Sequence, residues 1–353
     1  MKKINYLLAL MFGALALAQG PDGYYEGTDN LSGFNLKTKL SEIITQGHRD
    51  KGYGGLWTVY KTSDLDRYYE NDNSILDIYS ENPAGKDAYF YEPGDKQCGN
   101  YNKESDCYNR EHIVPQSLFN KKSPMRNDPH FIVPTDGYVN AKRGDFPFGE
   151  VGNATWTSKN GSKLGKNKTP GFGGTVFEPI DEFKGDVARM IFYFVTRYEK
   201  EMPALKFKSG DILDPYEKRG ITNWELQVLL KWHQNDPVSP REIDRNNAIY
   251  AFQFNRNPYI DHPEWVEKIW GKSSLPTDEV AVESKTQILV YPNPTKNGMI
   301  FIKNWKDYSK IDVFNVNGQK VLSQPSAEQI HVNLPKGVYI LKADQNSTKL
   351  IVE

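Results

Sequence analysis

Apolar residues recur at helical spacing in several stretches of the first 270 residues. Leu36, Leu40, Ile43 and Ile44 share a face, and Gly47 follows as a stop. Between residues 185 and 198, Val187, Met190, Ile191, Phe194 and Val195 fall on one side. Thr222 and Glu225 have capping-box spacing ahead of Leu226, Leu229 and Leu230. Ser239, Pro240 and Glu242 open another helix in the same way, and a shorter one is predicted over 263–270. Leu56, Val59 and Tyr60 lead through polar turns to residues 74–79, an apolar run that predicts a strand. From 97 to 174 the periodicity is lost, which predicts loops around short elements, where binding groups tend to gather.

The pattern changes after Gly271. Residues 273–284 are polar, with Pro276 and three acidic side chains, and read as a linker. Short alternating runs then cover 288–291, 299–303, 311–316, 320–322, 330–334, 338–342 and 349–352, with Asn317-Gly318 as a two-residue hairpin signal. The fold class is therefore α+β, with a small all-β sandwich over 285–353 following the larger domain. At the other end, Lys2 and Lys3 precede an apolar stretch and Ala16-Leu17-Ala18, the pattern of a signal peptide over 1–18 that leaves a first domain over 19–272. No later apolar run reaches the ~18 residues of a membrane span, so no integral membrane segment is expected.

Composition narrows the function. Aromatic residues make up 13% of the chain, which argues against disorder, and a net charge of −1 excludes a globally basic nucleic-acid binder. Charge is nevertheless uneven. Residues 101–170 hold 11 Lys and Arg against 7 Asp and Glu, so any polyanion site is local. Export also bears on the two cysteines: Cys98 and Cys107 can oxidise to a disulfide outside the cytoplasm.

The densest chemistry lies at Glu111-His112, a carboxylate and an imidazole that an extended strand would point to opposite faces. A second cluster follows at 128–144. Thr135 as N-cap and Gly144 as stop predict a two-turn helix over 136–143, on which Asn140 and Arg143 share a face. Glu111 and Asn140 supply the oxygen ligands that suffice for Mg²⁺, an ion that keeps several waters. Zinc fits poorly, because only His112 and His130 lie nearby once the cysteines are oxidised. His233, at a helix end, reads as structural, while Glu242, Arg245 and Asn246 share a helix face that can buttress the site.

These strings, Cys107-Tyr-Asn-Arg-Glu-His-Ile-Val-Pro-Gln-Ser117, Pro134-Thr-Asp-Gly-Tyr-Val-Asn-Ala-Lys-Arg-Gly144 and Asn255-Arg-Asn-Pro-Tyr-Ile-Asp261 among them, resemble the endonuclease I family of secreted ββα-metal nucleases. The resemblance implies a ββα-metal domain, Mg²⁺ with Mn²⁺ or Ca²⁺ as substitutes, and cleavage of DNA, and of RNA as a second substrate, to 5′-phosphate products. It makes His112 the general base and Glu111 and Asn140 the metal ligands. Some members carry a cysteine-bounded segment holding an arginine that steadies the scissile phosphate; here residues 120–127 are short and lack cysteine. Arg143 takes that role on helix geometry, with Arg126 second. Arg110, Arg126, Lys142, Lys163 and Lys166 are expected to meet nucleic acid, with Lys159 and Lys168 beside them in a lysine-rich stretch.

The tail, through Val290-Tyr-Pro-Asn-Pro294 and Leu334-Pro-Lys-Gly-Val-Tyr-Ile-Leu341, is similar to the C-terminal sorting domain of the type IX secretion system. That implies the secretion machinery as a partner and a secreted or cell-surface location; the chain is otherwise expected to be a monomer. Two other functions compete with a nuclease: an inactive surface adhesion protein on the same scaffold, and a metal-dependent phosphodiesterase acting on small or lipid substrates.

Overall fold

The computed structural model describes residues 20–353 except 207–211, 216, 272–287, 289, 304, 316–317 and 345. The expected signal peptide and linker lie outside the described residues. The chain forms two compact units, residues 1–275 and 276–353.

The first unit is organised around α4 (Lys184–Arg197), in which every residue from Gly185 to Arg197 is buried. Around it are α1 (Gly33–Thr45), α2 (Gly52–Ser63), α5 (Asn223–Asn235), α6 (Pro240–Gln253), α7 (Pro258–Asp261) and α8 (Glu264–Trp270). The apolar spacing of α1 does what it predicts: Leu36, Leu40 and Ile44 are fully buried. At α6 the capping box forms as expected, with Ser239 accepting from the Glu242 N–H and Glu242 from the Ser239 N–H. At α5 it does not. Thr222 donates its hydroxyl to the Ile212 carbonyl, and Glu225 is buried with neither carboxyl oxygen hydrogen-bonded.

Three short elements carry the sequence-predicted chemistry. Strand β1 (Tyr108–His112) pairs antiparallel with β2 (Ile132–Asp136), placing Glu111 opposite Val133 and His112 opposite Ile132. Helix α3 (Gly137–Arg143) follows β2 directly. Its N-cap is Asp136 rather than Thr135: the Asp136 carboxylate accepts from the Tyr138 and Val139 N–H groups at 2.8 and 2.9 Å. Thr135 instead belongs to β2, opposite Asn109. Gly144 ends the helix at φ 53°, where a side chain would be strained.

Two further expectations change in this unit. Residues 74–79 are not a strand, because Asp77 turns the chain, accepting the Tyr79 N–H on its carboxylate and the Ser80 and Glu81 N–H groups on its carbonyl. The lysine-rich stretch is not a loop either. It folds as an antiparallel sheet of β3 (Val151–Thr157), β4 (Lys163–Asn167) and β5 (Thr175–Glu178).

The second unit contains all seven predicted strands: β6 (Val290–Tyr291), β7 (Met299–Ile302), β8 (Lys310–Asn315), β9 (Lys320–Pro325), β10 (Gln329–His331), β11 (Gly337–Ala343) and β12 (Asn346–Val352). They form antiparallel sheets in the orders β10-β7-β6 and β12-β11-β8-β9. Alternate inward residues, such as Ile300 and Ile302 from one sheet and Ile311, Val313 and Leu341 from the other, share a single apolar cluster, as a sandwich requires. Strands β8 and β9 meet as the predicted hairpin; Asn317 lies outside the described residues.

Candidate active site

Beside the β1-β2-α3 unit opens a cleft of about 500 Å³, lined by Glu111, His112, Asn140, Arg143, Arg110, Tyr53 and Gln116 among others. Alternation along β1 separates the adjacent acid and base. Glu111 is 2% exposed, and its Oε1 accepts from the Tyr79 hydroxyl at 2.9 Å and from Arg143 at 3.0 Å. Both contacts fall on one oxygen. Burial pushes the Glu111 carboxyl up to about 7, against the pull of Arg143 and the Tyr79 hydrogen bond.

His112 meets a different set of groups. Its Nε2 is 3.3 Å from the Arg126 carbonyl, which can only accept, so a proton on Nε2 satisfies that contact. The ring packs near Tyr53, Phe119 and Phe131. Burial lowers its pKa to about 4, so the ring is neutral at pH 7.

Asn140 sits on the cleft side of α3, and its Nδ2 donates to Asn109 Oδ1 at 2.7 Å. With the amide nitrogen engaged there, the amide oxygen is the atom offered to a ligand. Arg143, one turn on, is 1% exposed and points its guanidinium inward. It donates to Glu111, to the His112 carbonyl at 2.8 Å and to the Ile113 carbonyl at 2.6 Å. Such an arginine holds β1 in place and fixes the Glu111 carboxylate.

Positive charge that faces outward comes from elsewhere. The Arg110 and Arg126 guanidinium carbons lie 3.4 and 4.0 Å from the centroid of the Tyr53 ring, and Arg110 also covers Trp57. Arg126 donates through Nε to Gln116, which leaves its two terminal nitrogens without a hydrogen-bond partner among the described residues. Lys142 rests against the Tyr138 ring on α3. Lys163 and Lys166 are exposed on β4 and do not line the cleft. Cys98 and Cys107 are joined in a disulfide, and Cys98 lines the cleft rim.

Other sequence-noted groups are structural. His130 gives Nε2 to the Asn255 carbonyl, and Asp128 beside it accepts from Tyr193, Tyr198 and Gln253, all of them buried. His233 lies between Arg189 and the Pro263 carbonyl. Of the α6 trio, Arg245 reaches the Pro129 and Ile132 carbonyls and so steadies the start of β2, while Glu242 pairs with Arg189. Tyr79, Asn109 and Tyr53 were not singled out by sequence reasoning. Asn109 had a signal, since it lies two residues before Glu111, whereas Tyr79 reaches the site only through the tertiary fold.

The model of the family described as Endonuclease I matches residues 32–264, and that of the Secretion system C-terminal sorting domain matches residues 289–353. The chain is 35% identical over 256 residues to a protein named Extracellular ribonuclease from Bacillus subtilis (strain 168), covering 70% of this chain and 78% of that protein. A second Extracellular ribonuclease, from Bacillus amyloliquefaciens, is 35% identical over 254 residues with the same coverage. An Endonuclease-1 from Buchnera aphidicola subsp. Acyrthosiphon pisum is 25% identical over 141 residues, 40% of this chain and 46% of that protein. The sorting tail and these extracellular relatives indicate export, and among the described residues no helix is long and apolar enough to cross a membrane.

Proposed function

The chain belongs to the endonuclease I family, and we propose that it is an exported Mg²⁺-dependent endonuclease that hydrolyses DNA and RNA to 5′-phosphate products with little sequence preference. The nuclease assignment comes with the family; substrate, ion and residue roles are the reading of the site. One observation carries that reading: Glu111, His112 and Asn140 line the same cleft, the acid and amide as oxygen donors and the imidazole as a neutral base. RNA is included because the two 35% identical relatives are named ribonucleases.

The donor set fits a hard divalent ion. The Glu111 hydrogen bonds both end on Oε1, and Asn109 engages the Asn140 amide nitrogen, so Glu111 through Oε2 and Asn140 through Oδ1 would hold the ion. Bound there, Mg²⁺ would neutralise charge developing on the phosphate and on the departing 3′ oxygen. The protein supplies the rest. His112 accepts a proton from the attacking water, while the Arg126 carbonyl helps to orient the ring. Arg126 offers its two terminal nitrogens to the non-bridging oxygens, with Arg110 beside it, and Arg143 acts as a positioning residue for Glu111. Contacts of this kind go to phosphates, which carry no sequence information.

The test is incubation of supercoiled plasmid and structured RNA with the purified protein, with Mg²⁺ and with chelator. Cleavage of both substrates with Mg²⁺, abolished by chelator and showing no consensus at the cut sites, is expected. Undiminished cleavage in chelator would remove the metal from the reaction.

A further inference from the structure

A second constellation of oxygen ligands lies outside the cleft and has no part in the nuclease reading. One carboxylate oxygen from each of Asp66, Glu70 and Glu81 lies within 4.8 Å of the others. Asp66 accepts four backbone N–H groups, from Tyr68, Tyr69, Glu70 and Asn71, which fixes its carboxylate at the centre of a tight loop. A second loop closes on this one. Asp87 accepts the Asn82 N–H at 2.7 Å and donates its own N–H to Glu70 at 3.2 Å.

Acidic side chains often gather on a surface without a ligand, but Glu81 is a different case. It is 1% exposed, and its Oε1 is buried with no hydrogen-bond partner. Among the described residues no ion pair reaches any of the four acids. A carboxylate oxygen withdrawn from water and given neither donor nor cation is destabilised by its lost solvation, and three further acids around it add repulsion. Burial first, and then Asp87, Glu70 and Asp66, push the Glu81 carboxyl up to about 9, and burial pushes Asp87 up to about 6. A bound cation removes both penalties at once.

We propose that Glu70 and Glu81, framed by the charges of Asp66 and Asp87, bind a Ca²⁺ ion at a site separate from the catalytic metal. The ligands are all hard oxygens with no imidazole or thiolate, and several carboxylates on irregular loops suit the six to eight ligands of Ca²⁺ better than the strict octahedron of Mg²⁺. Ca²⁺ is also the divalent ion that extracellular modules hold with Kd on the order of 10⁻⁴ to 10⁻³ M. The segment that ends at Glu81 also carries Tyr79, the donor to Glu111, so the ion would brace a support of the active site.

Thermal unfolding of the full chain, stripped with chelator and titrated with CaCl₂ or MgCl₂, tests this without reference to activity. With the cleft site weakened by Asn140→Ala, Ca²⁺ at a hundredfold excess over Kd should raise Tm by about 5–10 °C, and Mg²⁺ by much less. Glu81→Gln should abolish the Ca²⁺ shift while being at least as stable as the parent in chelator, since it relieves repulsion. Glu70→Gln, at an exposed position, should abolish the shift without any burden on the fold. No Ca²⁺ shift in the Asn140→Ala background, a shift there that survives both Gln substitutions, or an equal response of Asn140→Ala to Mg²⁺ would each overturn the proposal.

Discussion

Replacing Arg143 with alanine separates the two roles an arginine can have in this cleft. The side chain is 1% exposed and donates to the Glu111 carboxylate and to the His112 and Ile113 carbonyls. Removing it leaves a buried carboxylate with only the Tyr79 hydroxyl and two carbonyls without their donor. Breaking one buried ion pair costs about 3–5 kcal/mol. For a unit of this size that lowers Tm by about 6–20 °C. Loss of Arg143 also lets burial push the Glu111 carboxyl higher than about 7, so the proposed metal ligand is protonated near neutrality. Activity should then recover partly at higher pH and higher Mg²⁺. Arg143→Lys should not restore stability, because one ammonium cannot reproduce a fork that reaches a carboxylate and two carbonyls. Arg126→Ala gives the contrast. It loses one hydrogen bond to Gln116 and the contact with Tyr53, so its stability loss is smaller, while kcat should fall by about 10²–10³ if its free nitrogens meet the transition state. Urea unfolding and Mg²⁺-dependent cleavage of both variants provide the measurement. If Arg143→Ala stays within about 1 kcal/mol of the parent yet loses turnover, and Arg126→Ala is silent, the assignment is inverted.

Three further outcomes are expected. His112→Ala should lower turnover by about 10²–10⁴ with folding and binding retained; near-normal cleavage by the folded variant removes it as base. Asn109→Ala frees the Asn140 amide and should raise the Mg²⁺ concentration for half-maximal activity by about 10- to 100-fold, with kcat at saturating metal little changed; an unchanged metal requirement shows that this orientation is unnecessary. Burial alone would raise the Asp128 carboxyl, but His130, His48 and the hydrogen bonds from Gln253 and Tyr193 outweigh it and hold it below its usual value. A depressed carboxyl contributes stability above its unfolded pKa of about 3.9 that is lost as pH falls through the folded value, so Asp128→Asn should destabilise at pH 7 and converge on the parent under acid unfolding.

What the sequence makes legible follows from which interactions are local. Helices α1, α4 and α6 are written in apolar spacing and in one reciprocal cap, all within a few residues. The seven tail strands are written in alternation. The Glu111–His112 strand and the Asn140 helix are likewise legible, although the cap moves from Thr135 to Asp136, whose carboxylate lies closer to the first free N–H groups. Helix α2 escapes notice because Gly52, Gly54 and Gly55 dilute its pattern, and it is the burial of Leu56, Val59 and Tyr60 that pins it. Residues 74–79 read as a strand because the run is largely apolar, but Asp77 offers the backbone a carboxylate in place of a partner strand. At Glu225 the capping-box spacing is present, yet the side chain is buried against the packing of α5, and spacing says nothing about that. Tyr79 lies 32 residues from Glu111, and no local rule joins them.

The site's construction also explains how a nuclease built on so small a sheet can be rigid at its chemistry. A two-stranded sheet is marginal on its own, so β1 and β2 need supports from outside. Those supports are buried polar groups. Arg143 ties α3 back to β1, Arg245 anchors the start of β2, and Asp77 accepts the Asp136 N–H at 2.8 Å where β2 turns into α3. Each is directional, so together they fix the positions of Glu111, His112 and Asn140 more narrowly than apolar packing would. The substrate-facing groups are made differently. Arg110 and Arg126 rest on the ring of Tyr53, held by stacking that limits their freedom while leaving N–H groups outward for phosphate oxygens. A phosphate has the same shape at every step of a nucleic acid, and such a rim meets each one alike.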